Sequence, residues 1–323
     1  MKNLKRSQFG RSLIELMIAI GLGTVITLAI SGLFVANNFA NKAVDHRARM
    51  EEDARLTLNM IAYHLRMAGY GDLISADPDL RKPNKTQFDA AGISDIEALT
   101  GCSSGFADPK TGTTCNAPAS SPTSDAFAVR YIVSPVNANV TAGPGPLPTD
   151  CLGQGVLGTP AVVENRFYVA KNAKTGRNEL YCAGNGGAVF GSSVFANGGQ
   201  PLAENVVEMK LEYLVNKKIP WDQTSPDSFL ELTADKLNNP AANALQTYQP
   251  NKDPGMDQIN KITPWMQVYA VKVCLLMQSA DDGVATSKQS YTDCSGATKA
   301  ATDYRLYRVF STTVALRART LGV

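Results

Sequence analysis

The stretch that decides the fold of this chain reads Phe9-Gly10-Arg11-Ser12-Leu13-Ile14-Glu15-Leu16-Met17. It joins a basic leader, residues 1–10, to an apolar run over residues 13–36 in which Glu15 is the single ionisable side chain. About 20 helical residues, at a rise of about 1.5 Å each, cross the roughly 30 Å hydrocarbon core of a bilayer. The run is therefore long enough to span a membrane, and the basic leader predicts an N-terminus on the cytoplasmic side.

Glu15 needs a reason to stand in this helix. An acidic side chain costs up to about 3 kcal/mol at mid-bilayer and less near the headgroups, and such groups usually have a partner. A short basic leader that ends in glycine, with a glutamate five residues later, resembles the class III signal of type IV pilins and the related pseudopilins. The resemblance implies that a prepilin peptidase cuts between Gly10 and Arg11 and methylates the new amino terminus at Arg11. It also implies that Glu15 pairs with the terminal ammonium group of a subunit during filament assembly.

Two simpler interpretations of the apolar run compete with this one. A secretory signal peptide has a shorter apolar region and an Ala-x-Ala cleavage site after it, and neither feature is present here. A plain signal anchor also has basic residues before one apolar helix. The chain departs from the type IV pilin pattern at one position: those pilins usually have phenylalanine as the first mature residue, whereas this chain has Arg11.

The helical pattern continues beyond the apolar run. Apolar residues recur at steps of four and three and form one stripe, which consists of Met50, Ala54, Leu58, Ile61, Leu65 and Ala68. This spacing predicts an amphipathic helix that packs on a domain, and Gly69 is placed to cap it. One helix over residues 12–68 would be about 85 Å long. We therefore divide the chain into a leader (1–10), a membrane or filament-core helix (11–36), an amphipathic helix (37–70) and an outer domain (71–323).

Two further segments narrow the resemblance. The helix end, from Arg55-Leu56 to Leu65-Arg66-Met67-Ala68-Gly69-Tyr70, resembles that of PilW-type minor pilins, as does the last strand over residues 304–316. This resemblance implies a subunit at the pilus tip or in its priming complex, which moves from the inner membrane to the cell surface. The implied partners are other minor pilins, the major pilin, inner-membrane assembly proteins and a tip adhesin.

The outer domain shows strand patterns separated by loops. Alternating apolar and polar residues predict strands near residues 125–133, 166–182, 207–215, 269–275 and 304–316, with a hairpin turn at Gly176. Residues 71–124 and 216–264 are rich in Pro, Gly, Asn and Asp and are predicted to be a loop and an insertion. The predicted fold class is α+β: a long N-terminal helix packed on one antiparallel sheet of five or six strands, with long disulfide-stapled loops, as in type IV pilins.

All six cysteines follow the membrane helix, on the side predicted to lie outside the cytoplasm, where disulfides form. Six cysteines allow fifteen pairings. The simplest joins sequence neighbours, which are Cys102 with Cys115, Cys151 with Cys182, and Cys274 with Cys294.

No residue pattern indicates catalysis, a metal or a cofactor. The 31 basic and 29 acidic residues nearly balance, which does not suggest nucleic-acid binding. The glycine pattern over residues 153–158 follows a proline-rich loop, so we interpret it as a flexible loop, not a dinucleotide site. His46 and His64 are too far apart to form a local metal pair, and we expect both on the polar helix surface. We predict a structural subunit, with a type II secretion pseudopilin and a membrane-anchored binding module or hydrolase as alternatives.

Overall fold

A computed structural model describes residues 12–70, 73–75, 85–86, 97–117, 124–133, 149–157, 161–187, 195, 198–217, 226–239, 245 and 263–316. Its first element is helix α1, Leu13–Met67, which runs without interruption for 55 residues and is about 80 Å long. The prediction of one continuous helix is therefore confirmed. Gly69 ends it with a φ of 75°, a conformation that glycine adopts without steric cost. The Gly69 N–H then donates to the Arg130 carbonyl at 2.9 Å, which attaches the helix end to the outer domain.

The outer domain contains thirteen strands and two short helices in the described residues. The strands are β1 Leu73–Ser75, β2 Lys85–Thr86, β3 Leu99–Cys102, β4 Ala126–Val133, β5 Ala161–Lys171, β6 Asn178–Gly184, β7 Gln200–Ala203, β8 Val206–Asn216, β9 Phe229–Leu232, β10 Val268–Gln278, β11 Ser290–Thr292, β12 Thr298–Ala300 and β13 Tyr307–Ala315. Helix α2 spans Ala234–Asn238, and a 3-10 helix spans Pro264–Gln267.

These strands form two main antiparallel sheets, and the prediction of one sheet is wrong. The first sheet has the order β3-β4-β5-β6-β7, and the second has the order β13-β10-β8-β9. The predicted hairpin is present, since β5 pairs antiparallel with β6 across the turn that contains Gly176. Two small hairpins, β1–β2 and β11–β12, complete the described strands. The sequence patterns predicted the six longest strands, which are β4, β5, β6, β8, β10 and β13. Such patterns do not specify which strands become neighbours.

The two sheets and the second half of α1 share one core. On the inner face of the second sheet Val271, Val273 and Leu275 pair with Tyr213, Leu211 and Met209, and these side chains are buried. The predicted helix stripe is also buried and belongs to the same cluster of core residues. Helix α1 contacts β10 and β13 of the second sheet and β4 and β7 of the first. The amphipathic half of the helix is therefore part of the outer domain.

The segments predicted as a loop and an insertion contribute to this core. Residues 99–102 form β3, which pairs with β4 at the edge of the first sheet. The α2 residue Leu237 is buried, and Asn238 donates to the Gly101 carbonyl at 3.0 Å. Asn238 also accepts from the Trp265 indole N–H at 2.9 Å. These elements could not be recognised in the sequence, because each is only four or five residues long and lies in a polar, turn-forming segment.

Candidate functional site

The N-terminal end of α1 carries the residue that the sequence singles out. The Ser12 backbone N–H donates to Glu15 Oε2 at 3.3 Å, which is the acidic half of a capping box. An acidic side chain in the first turn also interacts favourably with the helix dipole. Glu15 therefore has a role within its own helix that the sequence analysis did not consider. Gly10 and Arg11 lie outside the described residues, so cleavage between them and methylation of Arg11 stay predictions.

The first half of α1 is apolar and uncovered. Its large side chains are mostly exposed, among them Leu16, Ile18, Leu22, Ile26 and Phe34. By length and composition this half could cross a membrane. A continuous apolar surface of this size usually marks a contact with lipid or protein, whereas the second half of the same helix buries one of its faces in the outer domain. The helix is thus divided into a half that the domain covers and a half that it does not.

His64 is buried, which corrects the expectation that both histidines lie on the polar helix surface. It lies between Ile61 and Leu65 of the buried helix stripe. Its ring packs on the first sheet, where its centroid lies 5.1 Å from that of Phe167 in β5. Its Nδ1 is 3.3 Å from the Asn165 side-chain nitrogen. Burial lowers the pKa of His64 to about 4. His46 is partly buried and lies 3.6 Å from Asp281.

A polar network links the buried helix face to a stapled loop. Asn165 Oδ1 accepts the Cys151 N–H at 2.8 Å, and Asp150 accepts the N–H groups of Leu152, Gln154 and Gly186 at 2.8–2.9 Å. Gly153 lies in this loop with a φ of 73°. The glycine pattern is therefore part of a turn organised by Asp150, and the described part of it, residues 153–157, does not begin a helix.

Three disulfides tie loops to strands in the structure. They join Cys102 to Cys115, Cys151 to Cys182, and Cys274 to Cys294, with Cα–Cα distances of 5.3, 6.5 and 5.8 Å. These are the neighbouring pairs that the sequence analysis predicts. The last one fastens the β11–β12 hairpin to β10.

The first sheet contains a buried ionic cluster that no sequence pattern predicted. Glu164 Oε1 accepts from Arg166 Nε at 2.7 Å and from Arg130 Nη2 at 3.2 Å, and all three side chains are buried. Burial by itself would raise the pKa of Glu164, but the two guanidinium groups outweigh it and the pKa is lowered. Arg166 also stacks on the Phe195 ring at 3.8 Å. The cluster fixes β4, β5 and the loop that contains Pro109, whose carbonyl accepts from Arg166 at 2.9 Å.

Within the described residues, no group of three or more His, Cys, Asp or Glu side chains is arranged to hold a metal ion.

Known proteins resemble the chain in sequence over its second half and in structure over most of its length. The family model PilW, described as type IV pilus-assembly protein W, matches residues 166–318, which extend from within β5 to just past β13. Among solved structures, the chain is similar to a type IV-like pilin from Thermus thermophilus, with 13% identity over 84% of this chain and 97% of that chain. The TM-score is 0.37, so this similarity does not establish the fold. The search of curated proteins finds no match. The chain is thus similar to the PilW family of type IV pilus-assembly proteins over residues 166–318, slightly less than half of its length.

Proposed function

We propose that the chain is a minor pilin, a structural subunit that enters the tip or the priming complex of a type IV pilus and promotes its assembly. Before assembly it is held in the inner membrane by residues 11–36, with residues 71–323 in the periplasm. After assembly it lies in the pilus at the cell surface. Residues 37–70 connect the two parts as a rigid helical stem.

One observation carries the proposal: a segment that matches the PilW family belongs to a domain that packs on one face of the second half of a continuous helix and leaves the apolar first half uncovered. A membrane anchor alone does not require the helix to continue beyond the bilayer as part of the domain core. A filament subunit does, because a rigid helix fixes the position of the domain relative to the apolar half that packs among other helices. The same apolar surface can be covered by lipid before assembly and by neighbouring helices afterwards.

Glu15 supplies a means of selecting the correct packing. In a bundle of such helices its carboxylate would meet the terminal ammonium group of another subunit away from water, where an unpaired charge is costly. Only a register that brings the two charges together avoids this cost. The intrachain bond from Ser12 holds the carboxylate at the helix end until a partner arrives.

The proposed partners follow from this route. A prepilin peptidase would remove residues 1–10, inner-membrane assembly proteins would extract the subunit, and other minor pilins and the major pilin would pack on its helix. A tip adhesin would bind the outer domain.

The test is to delete the gene that encodes this chain, restore the gene on a plasmid, and measure both surface piliation and the recovery of the chain in sheared pili. We expect deletion to reduce piliation and the restored chain to appear in sheared pili in its mature form. A membrane-anchored binding module or hydrolase would remain uncut in the membrane. A pseudopilin of type II secretion would leave piliation unchanged, and deletion would reduce secretion instead.

A further inference from the structure

A cavity of about 430 Å³ lies where the two main sheets meet. Its walls come from β5 and β6 of the first sheet and from β8 and β10 of the second. The loop closed by Cys102–Cys115 and the β11–β12 hairpin, fastened by Cys274–Cys294, form the rest of its lining. Small-molecule sites in proteins have volumes of about 300–1,000 Å³, so this cavity can hold a ligand the size of an amino-acid side chain.

Glu208 is the unusual residue in the cavity wall. Glu208 is only 9% exposed, and its Oε2 atom has no hydrogen-bond partner within the described residues. Across the strand pair it faces Leu276, which is apolar and buried. A buried carboxylate without a partner is costly, and buried polar groups in folded proteins nearly always have one. The orphaned oxygen therefore marks a place for a donor.

The charged neighbours of Glu208 are engaged elsewhere. Lys210 binds Asp125 at 2.9 Å, and Lys299, in the cavity lining, binds Asp293 at 2.8 Å. The pKa of Lys299 is raised, first by its hydrogen bond with Asp293 and to a smaller extent by the Glu208 carboxylate. Because each of these lysines has an acidic partner of its own, the Glu208 carboxylate adds one negative charge to the described part of the cavity wall. The rings of Tyr168 and Tyr291 also line it, and aromatic faces attract cations.

We propose that this cavity binds an organic cation, an alkylammonium or guanidinium group, with Glu208 as its counter-ion. The group can be the basic side chain of another protein or a small free amine. Tyr168 and Tyr291 provide walls for the aliphatic part of the ligand. Lys299 limits affinity, because its ammonium group, although paired with Asp293, also attracts the Glu208 carboxylate and competes with a bound cation.

The experiment uses the full chain in lipid nanodiscs and two amine probes, measured by calorimetric titration. Agmatine represents a free amine, and N-acetylarginine N-methylamide represents a side chain within a polypeptide. N-acetylcitrulline N-methylamide has nearly the same shape as the second probe but no charge. We expect both cations to bind and the uncharged compound not to bind. Tighter binding of agmatine assigns the site to a free amine, and tighter binding of the blocked arginine assigns it to a protein side chain.

Three variants make the test specific to Glu208. Glu208→Gln keeps the shape and should weaken cation binding by about tenfold or more, the size of a lost charge-assisted hydrogen bond. Glu212→Gln, on the same strand but paired with Lys272 at 2.7 Å on the surface, should bind as wild type does. Lys299→Met should bind cations more tightly than wild type.

The proposal is overturned if no cation binds at millimolar concentration, if Glu208→Gln binds like wild type, or if Lys299→Met binds more weakly. Thermal melting guards against loss of fold. Glu208→Gln should melt no lower than wild type, since it removes an unpaired buried charge. A lower melting temperature would show that the carboxylate has a partner within the chain, and it too would overturn the proposal.

Discussion

Replacing Leu65 by alanine tests whether the second half of α1 is part of the outer domain. Leu65 is 0% exposed, whereas Leu56, nine residues earlier on the same helix, is 62% exposed. Leu→Ala removes three carbon groups, which at about 0.8 kcal/mol each cost about 2.4 kcal/mol of burial. The cavity left behind adds to this, so we expect a loss of about 3–4 kcal/mol in the free energy of unfolding. Leu56→Ala should change it by less than about 0.5 kcal/mol.

The assay is urea unfolding of the full chain in a non-ionic detergent, followed by tryptophan fluorescence. Trp265 is buried and its ring centroid lies 4.9 Å from that of Tyr213, so its emission reports on the shared core. The other tryptophan, Trp221, lies outside the described residues and is replaced by phenylalanine in every variant. Equal losses for Leu65→Ala and Leu56→Ala, or a loss below about 1 kcal/mol for Leu65→Ala, would refute the placement of the helix in the core.

Three further predictions concern processing, the disulfides and pH. Gly10→Val should leave the leader attached, and the intact mass of the membrane-bound chain, compared with and without prepilin peptidase, should show residues 1–10 retained; a full-length wild-type chain in both strains would contradict processing at this site. Replacing both Cys151 and Cys182 with serine should lower the free energy of unfolding by about 3–4 kcal/mol on the chain-entropy model. Peptide mapping of the wild-type chain without reduction should recover the Cys151 and Cys182 peptides linked, and free thiols would contradict this. His64 has a pKa of about 4 in the folded chain and 6.5 in the unfolded chain, so the folded chain favours its neutral form. The free energy of unfolding should therefore decline by up to about 3 kcal/mol as the pH falls from 6.5 to 4. Between pH 7 and 4.5 the wild-type chain should therefore lose more stability than the His64→Gln variant. Asp125, whose pKa burial raises to about 6, has the opposite effect, but it is the same in both chains. Equal losses would contradict the burial of His64.

Features with a local physical signature could be predicted from the sequence. The stripe that contains Ile61 follows from the 3.6-residue helical period, and its burial follows from its apolar composition. The strand around Val273 follows from the two-residue period. The disulfide pairs join sequence neighbours, so the simplest choice of pairing is also the one in the structure.

Features that depend on long-range neighbours could not be predicted. The division into two sheets depends on which strand edges meet, and alternation carries no information about that. His64 is polar in composition, but it borders the buried stripe and is covered by Phe167 and Asn165. Glu208 alternates with apolar residues as a surface residue would, and only its position where the sheets meet buries it. The capping box of Ser12 and Glu15 is local and could have been recognised from its spacing.

The recovery of Glu15→Gln in sheared pili tests most directly whether Glu15 acts in filament assembly. Glutamine at this position can keep the hydrogen bond from the Ser12 N–H, because a capping box accepts either residue, but it carries no charge to pair with an ammonium group. The measurement compares wild type, Glu15→Gln, Glu15→Leu and the deletion at equal membrane expression. We expect both variants to be cleaved and folded, yet depleted from sheared pili, with piliation near that of the deletion. Wild-type recovery and piliation for Glu15→Gln would contradict this account and leave the carboxylate as a cap of its own helix.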